Sequence, residues 1–305
     1  MDGTIAFAMT APRASVTPRL TAFQHTIAKS VSCEGTGVHS GEKARLELRP
    51  AAAGNGIRFI RTDKPFEVSL IPALWNKVCD TRLCTALANE YGTTLATVEH
   101  LLAALSGAGV DNVDVLVDGP EVPIMDGSSE AFSALIAEAG LETQLLPRRF
   151  IRILKPVRVE ENGKWASLAP AETQDFEMTI EFDSAAIGRQ TRAFTLMNGA
   201  FVHDLARART FATLPEVQQM QKLGLAKGGS LENAIVVDGD KVLNPDGLRH
   251  ADEFVRHKLL DSVGDLALAG GPILGLYRSE KGGHALNNRL LHAVFADSAN
   301  WEWTE

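Results

Sequence analysis

The chain has 305 residues, 45% of them hydrophobic and 22% charged, with a formal net charge of -8 at pH 7. This composition is that of a soluble globular protein. The sequence has no apolar run of the roughly 18 residues that a membrane helix needs, so we expect no membrane insertion. It also has no basic stripe that could bind phosphates, so we expect no nucleic-acid partner. Three cysteines without a CxxC pair and an N-terminus without a secretory signal favour a cytoplasmic location.

The first half of the chain begins without regular structure and then alternates strands and helices. Residues 1–20 lack periodicity, so we expect a disordered extension. Short β-like runs follow at residues 26–33, 44–48 and 57–60. A 3.6-residue apolar period predicts a helix across 98–105 that stops at Gly107 and Gly109, alternation predicts a strand at 113–117, and a further apolar period predicts a helix across 132–136 that ends before Gly140.

The same order of elements recurs after Pro147. Strands are predicted at residues 150–160, 165–168 and 176–182, a helix at 253–269, a strand at 273–277 and a helix across 286–294. We therefore predict an α+β fold of two similar halves, residues 21–146 and 147–305. The second half carries extra material near residues 190–236, with helices near 201–207 and from Pro215 onward. Insertions of this kind usually serve the substrate.

Each half places a histidine early in its long helix, just ahead of a pair of leucines. His100 precedes Leu101 and Leu102, and His257 precedes Leu259 and Leu260 with one lysine between. An ancient duplication would bring both histidines to the interface between the halves. Two amphipathic helices that are similar by chance explain the pattern equally well.

His257 and Asp261 are the strongest candidates for metal ligands. At a spacing of four they project from one face of a helix and can hold a single ion. With His100 they would form a set of two histidines and one carboxylate that leaves one position for water. Glu99 would then flank the ion, where it suits a base acting on that water. Alternatively, His257 and Asp261 belong to a solvated helix face with an i,i+4 contact.

His284 follows two glycines and opens a predicted helix, where a flexible backbone can bring its ring toward the same site. The dipole at a helix N-terminus disfavours the imidazolium form, which is the form that a general acid needs. A carboxylate such as Asp265 would offset this dipole. An exposed or capping histidine is the alternative interpretation. Both remain open from the residues alone.

Four segments, read in order, resemble a known family. They are residues 97–105 (TVEHLLAAL), 123–128 (PIMDGS), 254–261 (FVRHKLLD) and 283–288 (GHALNN). The chain is similar to the UDP-3-O-acyl-N-acetylglucosamine deacetylases of bacterial lipid A synthesis, from about Gln24 to the C-terminus. The resemblance implies two α+β halves, each a sheet layered against helices, with the active site between them. It also implies hydrolysis of the N-acetyl group of an acylated UDP-sugar, and we expect a monomer.

The resemblance assigns roles to individual residues. It implies Zn²⁺ held by His100, His257 and Asp261, with Glu99 as the general base and His284 as the general acid. Asp265 would orient His284, and Thr210 would hydrogen-bond the developing oxyanion. Phe211, Lys258 and Cys84 are the expected substrate-binding residues: Phe211 would pack on the sugar and Lys258 would face the diphosphate. The extra segment at 190–236 would form a passage for the acyl chain.

Two other function classes use the same features. A non-haem Fe(II) oxygenase also binds its metal through two histidines and one carboxylate. Its ligands usually come as HxD on a β scaffold, whereas the spacing here is HxxxD on a predicted helix. A non-catalytic module that binds a lipid-linked sugar would leave the acid and base idle. Oxygen consumption tests the first alternative, and acetate release tests the second.

Overall fold

The computed structural model describes residues 23–197 and 199–305. The predicted disordered extension, residues 1–20, lies outside the described residues. The predicted α+β class is confirmed, because helices and several separate sheets alternate along the chain. Within the described residues, no helix is both long and apolar enough to cross a bilayer.

The first half is built on a five-stranded sheet. Its elements are β1 (Phe23–Ile27), β2 (Val31–Thr36), β3 (Lys43–Pro50), β4 (Ile57–Arg61), α1 (Phe66–Ser69), β5 (Leu70–Pro72), a 3₁₀ turn (Trp75–Lys77), β6 (Val78–Asp80), β7 (Ala86–Ala88), β8 (Thr94–Leu95), α2 (Glu99–Ala108), β9 (Val113–Val117), α3 (Glu130–Ala139) and β10 (Leu141–Pro147). The main sheet has the order β2-β3-β9-β4-β5, β6 to β8 form a small sheet, and β1 pairs with β10. In β9 the valines at 113, 115 and 117 are buried and the residues between them are not, as the alternation predicts.

The second half is built on a seven-stranded sheet. Its elements are β11 (Phe150–Ile153), β12 (Val157–Glu161), β13 (Lys164–Ala169), β14 (Gln174–Glu181), β15 (Arg189–Thr195), α4 (Ala200–Asp204), β16 (Phe211–Thr213), α5 (Leu214–Lys222), β17 (Ile235–Asp238), β18 (Lys241–Val242), α6 (Glu253–Ala267), β19 (Ile273–Glu280), α7 (His284–Phe295) and β20 (Trp301–Thr304). The order is β12-β13-β19-β11-β20, with β14 between β19 and β15. A separate small sheet, β16-β17-β18, lies in and beyond the extra segment.

Helices α2 and α6 pack against each other where the halves meet, with α3 beside α2 and α7 beside α6. The approach is close because Gly264 on α6 has no side chain: a Cβ there would lie 2.0 Å from the carbonyl oxygen of Glu99 on α2. One hydrophobic core includes Leu101 and Leu102 from the first half and Leu259 and Leu260 from the second. The two histidine-bearing helices are therefore neighbours.

Most predicted elements are confirmed, and two long strands are corrected. The helices predicted at 98–105, 132–136, 253–269 and 286–294 correspond to α2, α3, α6 and α7. The run at 26–33 is divided into β1 and β2 by a bend at Ala28, whose N–H bonds the carbonyl of Gly140. The run at 150–160 is divided into β11 and β12 near Pro156, which has no N–H to donate to a sheet. The bounds 21–146 and 147–305 stay a prediction.

Candidate metal centre and active site

The candidate site lies where the first turn of α2 meets the middle of α6. The chain enters α2 through Thr97, which has a φ of 60°. This left-handed conformation is uncommon for a β-branched residue. The Thr97 hydroxyl donates to the buried carboxylate of Glu121 at 2.9 Å, and both side chains are buried. This contact supports the sharp turn that directs Glu99 and His100 inward.

His100, His257 and Asp261 come together at one point. Each offers one ligand atom, and these atoms lie within 4.8 Å of one another. Asp261 Oδ1 is 3.6 Å from Nε2 of His100 and 3.3 Å from Nε2 of His257. Ligand atoms that share a tetrahedral ion at 2.0–2.1 Å are about 3.4 Å from one another. The spacing of these donors therefore matches that of ligands around one ion.

The hydrogen bonds around the cluster leave its inward atoms free. His257 Nδ1 lies 3.0 Å from the carbonyl oxygen of Ala208, so the N–H is on Nδ1 and the lone pair on Nε2. Burial lowers the pKa of His257 from 6.5 to about 3, so the ring is neutral at pH 7. Asp261 Oδ1 is buried and has no hydrogen-bond partner among the described residues. A buried carboxylate oxygen in this condition requires a cation or another donor.

The other oxygen of Asp261 is held by Lys258. The Lys258 ammonium donates to Asp261 Oδ2 at 2.8 Å. Burial alone would raise the pKa of Asp261, but the positive charges around the carboxylate, the Lys258 ammonium among them, outweigh it and hold the pKa well below 3.8. Burial alone would lower the pKa of Lys258, but the Asp261 charge outweighs it and raises the pKa. The Lys258 ammonium also lies 5.7 Å from the centre of the Phe211 ring.

Glu99, the first residue of α2, is buried next to the cluster. Its Oε2 accepts the backbone N–H of Thr85 at 3.1 Å, and its Oε1 is 3.8 Å from Nε2 of His284. Burial raises the pKa of Glu99, the direction that suits a general base working near neutral pH. Glu99 and His284 thus face each other across a short gap beside the metal ligands.

His284 begins α7, as predicted, and is bound to Asp265. Its Nδ1 lies 2.8 Å from Asp265 Oδ2. Burial alone would lower the pKa of His284, but the charge of Asp265 and its hydrogen bond, with a contribution from Glu99, raise the pKa from 6.5 to about 9. The carboxylate therefore offsets the helix N-terminus, and the ring is an imidazolium at pH 7. Its Nε2 is left to face Glu99.

The remaining predicted site residues surround this centre. Phe211 packs edge-on against His257, with ring centres 6.3 Å apart. Thr210 follows two residues after Ala208, and its N–H donates to the carbonyl of Gly127 at 2.8 Å. Burial, with an added contribution from the Glu99 charge, raises the pKa of the Cys84 thiol. All three thus lie close to residues of the cluster or of the base.

The alternative of a solvated helix face is wrong. His257, Asp261 and Asp265 are 1%, 3% and 3% exposed, because α6 is covered by α2, α7, β14 and β15. Sequence reasoning also missed Thr85 and Asn287, which both donate to Asp265. Asn287 had a usable signal, since it stands three residues after His284 on the same helix face. No sequence signal indicated Thr85, because its partner, Asp265, belongs to the other half of the chain.

The chain is similar to known proteins over most of its length. The model of the LpxC family, UDP-3-O-acyl N-acetylglycosamine deacetylase, matches residues 24–296. Proteins named UDP-3-O-acyl-N-acetylglucosamine deacetylase from Haemophilus influenzae (strain PittEE) and Vibrio campbellii are each 49% identical to the chain, over 282 and 285 residues, with 92% of this chain and 92% of the relative covered. The protein of the same name from Pasteurella multocida is 48% identical over 282 residues, with the same shares covered.

Proposed function

The chain belongs to the LpxC family of UDP-3-O-acyl N-acetylglycosamine deacetylases, and from this membership we propose where and how it acts. It is a hydrolase of lipid A biosynthesis that removes the N-acetyl group of UDP-3-O-acyl-N-acetylglucosamine, giving acetate and a free amine. We locate the reaction at the cluster of His100, His257 and Asp261. The observation that carries this proposal is the unpartnered Asp261 Oδ1, which faces the Nε2 atoms of two histidines. Family membership does not support the oxygenase or the non-catalytic module.

We propose Zn²⁺ as the ion. Two imidazoles and one carboxylate are a usual ligand set of catalytic zinc, and the neutral His257 ring and the ionised Asp261 are in the states that bind it. Lys258 on Asp261 Oδ2 and the Ala208 carbonyl on His257 Nδ1 orient these two ligands. When bound, zinc acidifies water and polarises the amide carbonyl.

The proton transfers belong to Glu99 and His284. Glu99 accepts a proton from the attacking water, whose oxygen forms the new bond to the acetyl carbonyl carbon. Thr210 donates a hydrogen bond to the oxyanion that develops there. His284, held as an imidazolium by Asp265, gives its Nε2 proton to the departing nitrogen as the carbon–nitrogen bond breaks. The separation of 3.8 Å between Glu99 Oε1 and His284 Nε2 supports a base and an acid that act on the same reacting centre.

Three further side chains are proposed to bind the substrate. Phe211 lies beside His257, and we propose that its ring packs on the sugar. Lys258 carries the charge that a diphosphate needs, and 24% of its side chain is exposed although its ammonium bonds Asp261. For Cys84, the influence of the Glu99 charge on the thiol pKa supports a place on the Glu99 side of the site.

We propose that the segment 190–236 binds the acyl chain. It contains four large apolar side chains that are 39–69% exposed and that an aliphatic chain would cover: Met197, Val202, Leu223 and Leu231.

We further propose that the protein acts as a monomer in the cytoplasm, as two domains divided between residues 146 and 147. All three cysteines are free, which suits a reducing compartment. The division falls at Pro147, the last residue of β10, and the next strand, β11, belongs to a different sheet from β10.

Acetate release is the experiment that tests the function. Purified protein loaded with zinc and incubated with UDP-3-O-acyl-N-acetylglucosamine should release one acetate for each free amine formed. The unacylated sugar nucleotide is the control, and it should react far more slowly if the acyl chain is bound by residues 190–236. Absence of acetate from the zinc-loaded protein would contradict the proposal.

A further inference from the structure

Thr85 contacts the base and the partner of the acid at the same time. Its backbone N–H donates to Glu99 Oε2 at 3.1 Å, and its hydroxyl donates to Asp265 Oδ1 at 2.6 Å. Thr85 is 2% exposed, so both bonds are shielded from water. Glu99 and Asp265 lie on α2 and α6, and Thr85 joins them across the interface between the halves.

The Thr85 hydroxyl completes the coordination of the Asp265 carboxylate. Asp265 Oδ2 accepts from His284 Nδ1 and from Asn287 Nδ2, both at 2.8 Å. The Asn287 amide is itself oriented, because its oxygen accepts the Tyr277 hydroxyl at 2.6 Å. Oδ1 is held from the other side by Thr85. With donors on both oxygens, the plane of the carboxylate is defined, and so is the direction of the His284 ring that it holds.

The position of Thr85 is itself fixed by its main chain. It immediately precedes β7, and its carbonyl oxygen accepts the N–H of Val98 at 3.3 Å, at the start of α2. The main chain of Thr85 is therefore bound to the same turn that presents Glu99. A displacement of Asp265 relative to Thr85 is a displacement of the acid relative to the base.

We propose that Thr85 is a positioning residue that sets the distance and orientation between Glu99 and His284, acting on His284 through Asp265. The inference rests on the proposed function, since it assigns Glu99 and His284 the roles of base and acid. A displacement of about 1 Å in a catalytic constellation can cost on the order of a hundredfold in rate. Loss of the Thr85 hydroxyl should therefore slow the chemical step and leave substrate binding unchanged.

The matched variants are Thr85→Val and Thr85→Ser. Valine keeps the shape and the backbone N–H to Glu99 but removes the hydroxyl, whereas serine keeps the hydroxyl. We expect Thr85→Val to lower kcat by about tenfold to a hundredfold with KM and bound zinc unchanged, and Thr85→Ser to stay near wild type. If Thr85→Val does not fold, Thr85→Ala makes the same deletion without a branched side chain.

A double-mutant cycle separates positioning from general damage. If the hydroxyl acts only through Asp265, Thr85→Val should cause no further loss of kcat in an Asp265→Ala background. Nitrogen-15 NMR of the histidine side chains gives a readout without turnover: the His284 Nδ1–H signal should move in Thr85→Val and stay in Thr85→Ser.

Three results would overturn the inference: an unchanged kcat in Thr85→Val, full additivity with Asp265→Ala, or a folded Thr85→Ser protein as slow as Thr85→Val. Wild-type protein that releases no acetate would instead refute the proposed function. The two failures are therefore distinguishable.

Discussion

Gly264 on α6 lies directly against the main chain of Glu99 on α2, so that a Cβ at position 264 would be 2.0 Å from the Glu99 carbonyl oxygen and 2.8 Å from its carbonyl carbon. This contact sets how closely the two halves approach. Because Glu99 and His100 are carried by one helix and Asp261 by the other, the same contact sets the geometry of the candidate metal centre.

Gly264→Ala should therefore separate the helices and damage both stability and activity. Overpacking of this kind usually costs about 1–3 kcal/mol of unfolding free energy, and the displaced ligands should bind zinc more weakly. Urea unfolding and zinc titration measure the two effects. Gly283→Ala is the stability control, because its Cβ would meet no atom within 4 Å and its φ of -174° suits any residue. Equal stability of both variants would contradict the close-contact argument.

Removal of a metal ligand should empty the site. His257→Ala and Asp261→Asn each remove one of three protein ligands, so we expect purified protein to contain little zinc, whereas wild type should contain about one ion per chain. Metal analysis of the purified proteins checks this. Asp265→Asn is the control, because Asp265 bonds His284 and Thr85 and is outside the ligand cluster. Equal zinc in all four proteins would exclude the proposed ligand set.

Glu99→Gln should separate metal binding from catalysis. Glutamine keeps the shape of the side chain and an oxygen for the Thr85 N–H, but it cannot accept a proton from water. We expect kcat to fall by about a hundredfold to ten-thousandfold, with zinc content and KM near those of wild type. Steady-state kinetics with metal analysis of the same sample measures this. A Glu99→Gln protein with full activity would refute the base assignment.

The rate should depend on pH in a bell-shaped manner, with limbs set by Glu99 and His284. Glu99 must be ionised to accept a proton, and burial raises its pKa, so the rate should rise with pH above the ordinary range of a glutamate. His284 must be protonated to donate, so the rate should fall as pH rises through about 9. Asp265→Asn removes the charge that raises the His284 pKa and should move the alkaline limb to lower pH. An alkaline limb that does not move would argue against His284 as the acid.

Local patterns predicted the long helices well and the marginal strands poorly. Helices α2 and α6 carry apolar side chains at a 3.6-residue period, which is a property of each segment by itself. Strand β10 shows no alternation of buried and exposed residues, since six of its seven residues are exposed. Its extended form comes from pairing with β1. The pairing of two strands that are far apart in the chain cannot be predicted from the local spacing of apolar residues.

The same distinction holds for the candidate site. Side-chain chemistry and helical spacing were sufficient to nominate His257, Asp261 and the adjacent Glu99 and His100, because ligand type and an i,i+4 relation are local properties. Only the tertiary structure brought His100, from the first half, to Asp261 in the second. It also buried the face of α6 that spacing alone could not distinguish from a solvated face, and it placed Thr85 between the base and the acid. These depend on the close packing of α2 on α6 at Gly264 and on hydrogen bonds between distant residues, which no local pattern contains.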